Sequence, residues 1–388
     1  MELSRNLPAG GLYVHVPFCA RWCDYCAFYS VIAQPDRLER YVRALIIELE
    51  EIERDFQPQT LYFGGGTPTL LDLEQWRRIA TALRRRGFDR VNEWTVEGNP
   101  RTLDSDKVSL LRELGINRFS LGIQSLDDTL LQRLGRSHSR NDALAACALL
   151  RNAGFKNLNI DLMFAIPGQT LAQWETTLRE TLALEPEHLS CYEVTYEEDT
   201  PLYEQLQAGR FSVDEDLACD MYDLLVDLAE QAGFRRYEIS NFARHDLQGL
   251  DEFPRWSCQH NINYWRGGPY CGLGPSAASY LHGIRWKNWS DVDRYCACLE
   301  NHQRPEEERE ELSPLGRAGE LAAFGLRMTA GWPYALFLQI TGYDLRREWA
   351  ATLEDLIKHE LAFDEPDRLR LTARGLRCAD WVAQQFLL

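Results

Sequence analysis

Three cysteines stand within eight residues near the start of the chain, in the run His15-Val-Pro-Phe-Cys19-Ala-Arg-Trp-Cys23-Asp-Tyr25-Cys26. A C-x3-C-x2-C spacing lets three thiolates curl around one inorganic centre. Zinc is one candidate, but a structural zinc site normally takes four protein ligands, usually with a C-x2-C arm. His15 is the nearest fourth donor, yet it sits in a strand-like run where a packed imidazole is the ordinary state. A [4Fe–4S] cluster is usually held by four cysteines. Three of them leave one iron open to a small ligand, and a motif placed directly after a first strand favours that cluster over zinc.

The elements that must position this motif alternate along the chain. Strand-like runs at 12–16, 61–63, 94–96, 119–123, 158–163 and 189–194 are separated by helical patterns at 37–53, 73–85, 104–114, 140–152 and 171–184. Repeated β–α units build a parallel sheet, and six of them suggest a partial barrel of the α/β class. Ligands gather at the carboxyl ends of such strands. Cys19, Gly64 to Thr67, Glu97 to Asn99, Gln124 and Pro167 all follow strands and point toward one mouth. Gly154 and Gly233 read as helix C-caps. Residues 1–240 are assigned to the barrel. Residues 241–305, rich in Gly, Trp and Tyr between 256 and 289, read as an irregular covering segment. Residues 306–388 read as a mainly helical, winged-helix-like appendage with a strand at 368–371. Pro305 and the acidic run 306–311 are the expected linker.

Composition bounds the function. The 388 residues carry 42 Lys and Arg against 59 Asp and Glu, a formal charge of −17 that argues against bulk nucleic-acid binding. With 45% apolar and 26% charged residues, the chain reads as an ordinary globular protein. No apolar run approaches the roughly 20 residues that span a bilayer, so no integral membrane segment is expected. The opening MELSRNLPAG is too polar for a signal peptide. An odd count of eleven cysteines argues for a reducing compartment and a cytoplasmic protein without a disulfide framework.

The cysteine motif, with the aromatic Tyr25 before its last cysteine, resembles the signature of the radical S-adenosylmethionine (radical SAM) superfamily. That resemblance implies a cluster whose open iron chelates adenosylmethionine, with electron transfer giving a 5′-deoxyadenosyl radical. The run Gly64-Gly65-Gly66-Thr67-Pro68-Thr69 is similar to the superfamily's glycine-rich strip. Glu97, Gln124, Arg136 and Asp161 match ligand-binding positions of oxygen-independent coproporphyrinogen oxidases and their relatives, the HemN/HemW family. The likeness runs over nearly the whole chain. By it, Tyr13, Gly65 and Glu97 are contacts of a first adenosylmethionine. Tyr25, Gly66, Thr67, Gln124, Arg136 and Asp161 match positions that touch a second one in the oxidases.

Two departures point away from the oxidases. Where they carry a further cysteine two residues after Cys26, this chain has Phe28, and only ten residues precede its first strand. Both features resemble the haem-chaperone branch, as does Cys258-Gln-His260-Asn261-Ile-Asn-Tyr264-Trp265, which matches that branch's H-N-x-x-Y-W pattern. The resemblance implies haem bound through His260, an acceptor protein that receives it, and an electron donor for the cluster. A neutral imidazole suits haem iron and aromatic rings can sandwich a porphyrin. Trp256, Tyr264, Trp265, Trp286 and Trp289 supply such rings. The bland alternative is a satisfied loop histidine beside tryptophans covering an open edge. Cys258 and Cys271 are competing axial ligands. Cys296 and Cys298, on an expected helix, read as buried small residues. The rival activities are coproporphyrinogen dehydrogenation by oxidative decarboxylation and radical methyl transfer.

Overall fold

Strands in the first half of the chain alternate an apolar residue with a polar or small one, and that period of two separates their faces. In the computed structural model, which describes residues 10–245 and 252–387, they form a parallel sheet in chain order. The strands are β1 (Gly10–Val16), β2 (Pro58–Gly65), β3 (Glu93–Gly98), β4 (Arg118–Gln124), β5 (Leu158–Phe164) and β6 (His188–Glu193). Leu12, Val14, Phe63, Trp94, Leu121 and Ile160 join one apolar core beneath the surrounding helices. The alternate positions turn inward. Tyr13 pairs with Tyr62, Glu97 with Ser120 and Asp161 with Ser190 across neighbouring strands, so the lumen is lined by polar groups.

The crossover helices are α1 (Pro35–Glu51), α2 (Leu73–Arg86), α3 (Ser105–Leu114), α4 (Arg140–Asn152) and α5 (Leu171–Ala183), with α6 (Glu215–Gln231) after β6. Their ends are written locally. Capping boxes at Asp72/Gln75, Ser139/Asp142 and Thr170/Gln173 satisfy the free N–H groups that open α2, α4 and α5. The outcome is the α/β partial barrel expected from the sequence.

Two expectations are corrected. The stretch thought to be irregular is ordered. It contains α7 (Gln259–Trp265), four strands and α8 (Val292–Glu300). After β7 (Phe234–Arg236) and β8 (Asn241–Arg244), of which β8 pairs antiparallel with β6 and β7 lies outside it, antiparallel to β8, β9 (Tyr270–Leu273) runs parallel to β1 on its free side. Strands β10 (Ala278–Leu281) and β11 (Ile284–Asn288) continue the sheet outward. Apart from α8, the elements of this stretch are four to seven residues long, too short for a periodic signal to stand out. The acidic linker is instead β12 (Glu306–Glu311), the outermost strand, paired with β11. Charge on such an edge discourages pairing with further chains, so a charged run is compatible with a strand.

The C-terminal helical region expected from the sequence is present. It opens with α9 (Pro314–Gly325) and carries a three-stranded antiparallel sheet in the order Trp332–Pro333, Arg368–Leu371, Ala362–Asp364. Trp332, Phe337, Trp349 and Phe386 form a core separate from the barrel's. Arg266, just past α7, donates to the Gly331 carbonyl at 2.8 Å and fastens this region to the barrel. Among the described residues no helix is long and apolar enough to cross a membrane.

Candidate cofactor site at the barrel mouth

The loop that leaves β1 is pinned at both ends. The backbone N–H groups of Gly66 and Thr67 donate to the Val16 and Phe18 carbonyls at 2.9 and 2.7 Å, so the glycine turn after β2 lies against the entry to the cysteine loop. A short ladder pairs Phe18–Cys19 with Val31–Ile32 and closes the exit. Only glycine fits this approach. Gly65 has φ of 100°, and a Cβ there would lie 2.5 Å from the His15 imidazole. At Gly66 a Cβ would meet the Phe18 carbonyl oxygen at 2.6 Å.

Within the loop Cys19, Cys23 and Cys26 are free and half-buried. The Thr67 hydroxyl lies 3.8 Å from the Cys19 sulfur, and Arg136 Nη1 lies 3.4 Å from that of Cys23. Burial raises the Cys19 thiol and lifts Cys26 to about 11, and repulsion from neighbouring thiols adds to both. Three mutually repelling thiols beside one buried guanidinium fit a positively charged inorganic centre, which would draw off their protons. Three free thiols on one loop suit a polynuclear cluster, in which each thiolate would take its own iron.

Beneath the loop, Glu97 accepts a 2.6 Å hydrogen bond from the Tyr62 hydroxyl. Burial is the main reason its pKa rises to about 7, and Asp161 adds to the rise. Asp161 is likewise raised by burial, although Ser120 and Asn159 donate to it at 3.1 and 2.7 Å. A register shift between Gly122 and Gln124 ends β4, and Gln124 takes a left-handed φ of 68°. Such irregularities re-aim side chains beside sites. Arg136 Nη2 donates to the Gly122 carbonyl at 2.6 Å. Tyr25 is raised by burial and held down by Arg136. A pocket with buried acids ready to ionise and an adjoining guanidinium can receive a zwitterion: ammonium toward the carboxylates, carboxylate toward the arginine.

The structure therefore gathers Cys19, Cys23, Cys26, Tyr25, Gly65, Gly66, Thr67, Gln124 and Arg136 around the mouth, with Glu97 and Asp161 on the strands below. Tyr13 lies deeper, donating to His15 Nδ1 at 2.9 Å. His15 is the packed strand histidine expected, its Nε2 on the Tyr29 carbonyl at 3.0 Å. Trp22 and Phe28 are exposed on the cysteine loop. Sequence reasoning missed Tyr62, Ser120, Asn159, Arg118 and His188, which complete the lumen. Their signal was the polar half of the strand alternation.

His260 is not on a loop, and that expectation is corrected. It lies on α7, 1% exposed, at the opposite end of the lumen, where Glu93 accepts the opening N–H groups of the helix from Gln259 and His260 at 3.1 Å each. Nδ1 bonds Thr60 Oγ1 at 2.8 Å, Nε2 bonds the Tyr264 hydroxyl at 3.1 Å, and the ring stacks on Tyr62. Both nitrogens are engaged in this conformation. Burial, with Arg118 second, pushes its pKa down to about 3, so the imidazole is neutral. Cys258 and Cys271 are buried thiols raised to about 12 and are poor thiolate donors. Cys296 is buried on α8 as expected, while Cys298 is half-buried.

Residues 13–181 match the model of the Radical SAM superfamily. The chain is 32% identical to the haem chaperone HemW of Lactococcus lactis over 97% of both chains. It is also 32% identical to HemW of Bacillus subtilis, over 97% of this chain and 98% of that one. Its fold is similar to that of the radical SAM enzyme coproporphyrinogen III oxidase (HemN) from Escherichia coli. The TM-score is 0.82 at 21% identity, covering 99% of this chain and 91% of the other.

Proposed function

The chain belongs to the HemW family of radical SAM proteins, and from that membership we propose that it is a cytoplasmic haem chaperone, binding haem and passing it to an acceptor protein. The observation that carries the reading is the match along nearly the full length of haem chaperones from two bacteria. Phe28, 73% exposed where the resembled oxidases have a cysteine, supports it. Cys19, Cys23 and Cys26 would hold a [4Fe–4S] cluster, and an electron donor would reduce it. When bound, the cluster and adenosylmethionine supply one-electron chemistry. The chain's own part is to seat the methionine ammonium near Glu97 and Gly65, with Tyr13 behind them. Tyr25, Gly66, Thr67, Gln124, Arg136 and Asp161 would hold the rest of that ligand or a second one.

His260 is proposed as the axial haem ligand. In the tautomer that donates Nδ1–H to Thr60, Nε2 keeps its lone pair toward the Tyr264 hydroxyl, and that lone pair would hold the haem iron in the hydroxyl's place. A hydrogen bond at the far nitrogen is the usual means of orienting a ligating imidazole. The test is haem transfer. Purified protein loaded with haem should show a Soret band that moves to an apo-acceptor, while incubation with coproporphyrinogen should yield no vinyl product. Accumulation of divinyl porphyrin would favour the dehydrogenase, and a labelled methyl group on a product the methyltransferase.

A further inference from the structure

Asp161 does not stand alone in the lumen. Its Oδ1 accepts from Asn159 Nδ2 at 2.7 Å, and the same amide nitrogen lies 2.7 Å from Ser120 Oγ. Asn159 Oδ1 lies 2.6 Å from His188 Nδ1. A carbonyl oxygen can only accept, so Nδ1 carries the proton and Nε2 offers a lone pair. The Tyr237 hydroxyl, 2.8 Å from Nε2, is therefore the donor there, and its oxygen in turn accepts the Cys258 N–H at 3.2 Å. The amide orientation is fixed from both sides, because a flipped Asn159 would set its oxygen against the Asp161 carboxylate. His188, Asn159 and Tyr237 are each at most 1% exposed, so no solvent replaces a lost partner.

We propose that His188 and Tyr237 are positioning residues that hold Asp161 toward the barrel mouth through the Asn159 amide, anchored on the backbone that enters α7. Neither touches the mouth itself. Asn159 Oδ1 also accepts from Ser190 Oγ at 3.1 Å, so loss of His188, or loosening of its ring when the Tyr237 hydroxyl is removed, leaves the amide held from that side by Ser190 alone and weakens rather than abolishes its grip on the Asp161 carboxylate. The inference rests on the reading of Asp161 as an adenosylmethionine contact.

The experiment compares labelled adenosylmethionine binding, by equilibrium dialysis of anaerobically reconstituted full-length protein, across five variants. Tyr237→Phe removes one hydroxyl and should weaken binding about fivefold, the order expected of one buried neutral hydrogen bond, with iron content unchanged. His188→Leu should weaken it at least as much, whereas His188→Asn keeps a donor near the Nδ1 position and should recover most of the affinity. Tyr222→Phe also removes a hydroxyl near this edge of the sheet, one that donates to the Ile239 carbonyl at 2.8 Å, and should change nothing. In apo protein labelled with 15N-histidine, His188 should show the Nδ1–H tautomer, and Tyr237→Phe should shift its Nε2 resonance toward that of an unbonded nitrogen. Wild-type affinity in Tyr237→Phe and His188→Leu, alongside a loss in Asp161→Asn, would overturn the proposal and spare the site. An unchanged Asp161→Asn would overturn both. Equal losses in all variants, Tyr222→Phe included, would reduce the effect to general destabilisation and overturn the positioning role.

Discussion

Glu97 ties the chemistry of the mouth to pH. Its carboxyl receives the Tyr62 hydroxyl and the backbone near Gly65, and feels Asp161 as a like charge and Arg118 as an opposite one. Burial wins, and the pKa rises from 4.5 to about 7. A folded value above the unfolded one means that the folded state holds the extra proton between those limits. Stability from this group is full below the unfolded value and is lost as pH rises through about 7, a difference of about 3 kcal/mol. A cationic ligand reverses that cost, because it needs the ionised form. From about pH 7.5 to about pH 6 the ionised fraction falls from about three-quarters to about one-eleventh. Affinity for adenosylmethionine should therefore drop about eightfold over this window. Asp161, also raised, can only steepen the slope. Glu97→Gln should bind weakly and almost without pH dependence, yet melt no lower than wild type at pH 7.5. Equilibrium dialysis at the two pH values, with thermal melts of the apo protein, checks both halves. A flat wild-type profile, or a Gln variant that keeps the wild-type slope, would refute the reasoning.

Reconstitution should give about four irons per chain, and Ala at Cys19, Cys23 or Cys26 should each abolish the cluster's absorbance; stoichiometric zinc in the wild type would contradict this. Gly65→Ala forces a left-handed backbone onto alanine, about 1–3 kcal/mol in itself, and drives a methyl group into His15. It should lower the melting temperature and abolish adenosylmethionine binding, and an unperturbed melt would show that the turn can relax. His260→Ala should eliminate the Soret shift on haem addition and leave iron content intact. Tyr264→Phe, which removes the hydroxyl competing for Nε2, should bind haem at least as tightly as wild type. His282→Ala, at an exposed residue paired with Glu53, should behave as wild type.

The barrel was legible because each strand and each cap carries its own signal. Apolar alternation marked β1 to β6, and the spacing of the cysteines placed three thiols on the one loop that leaves β1. The other half of that alternation was equally present and went unread. Tyr62, Ser120, Asn159 and His188 are scattered over 127 residues and meet only through parallel register. Register is a tertiary fact that no local window holds. The same limit explains β9, four residues whose place beside β1 depends on a pairing 259 positions away, Gly11 with Tyr270.

His260 shows the limit in its sharpest form. A histidine among aromatics and glycines reads as a ligand on an open loop, yet α7 turns it inward, and its ring joins the floor of the lumen to Tyr62 and so to Glu97. Sequence alone supplied the donor atom. Whether that donor faces a ligand or a neighbour depends on Thr60 and Tyr264, and Thr60 lies 200 residues upstream. A buried neutral imidazole has no proton to shed before it binds iron, so at Nε2 the iron would compete with the Tyr264 hydroxyl and with the packing that encloses the ring. That competition is why the Tyr264→Phe variant is the informative one. It leaves the imidazole, its tautomer and the Thr60 bond in place and changes only what occupies Nε2.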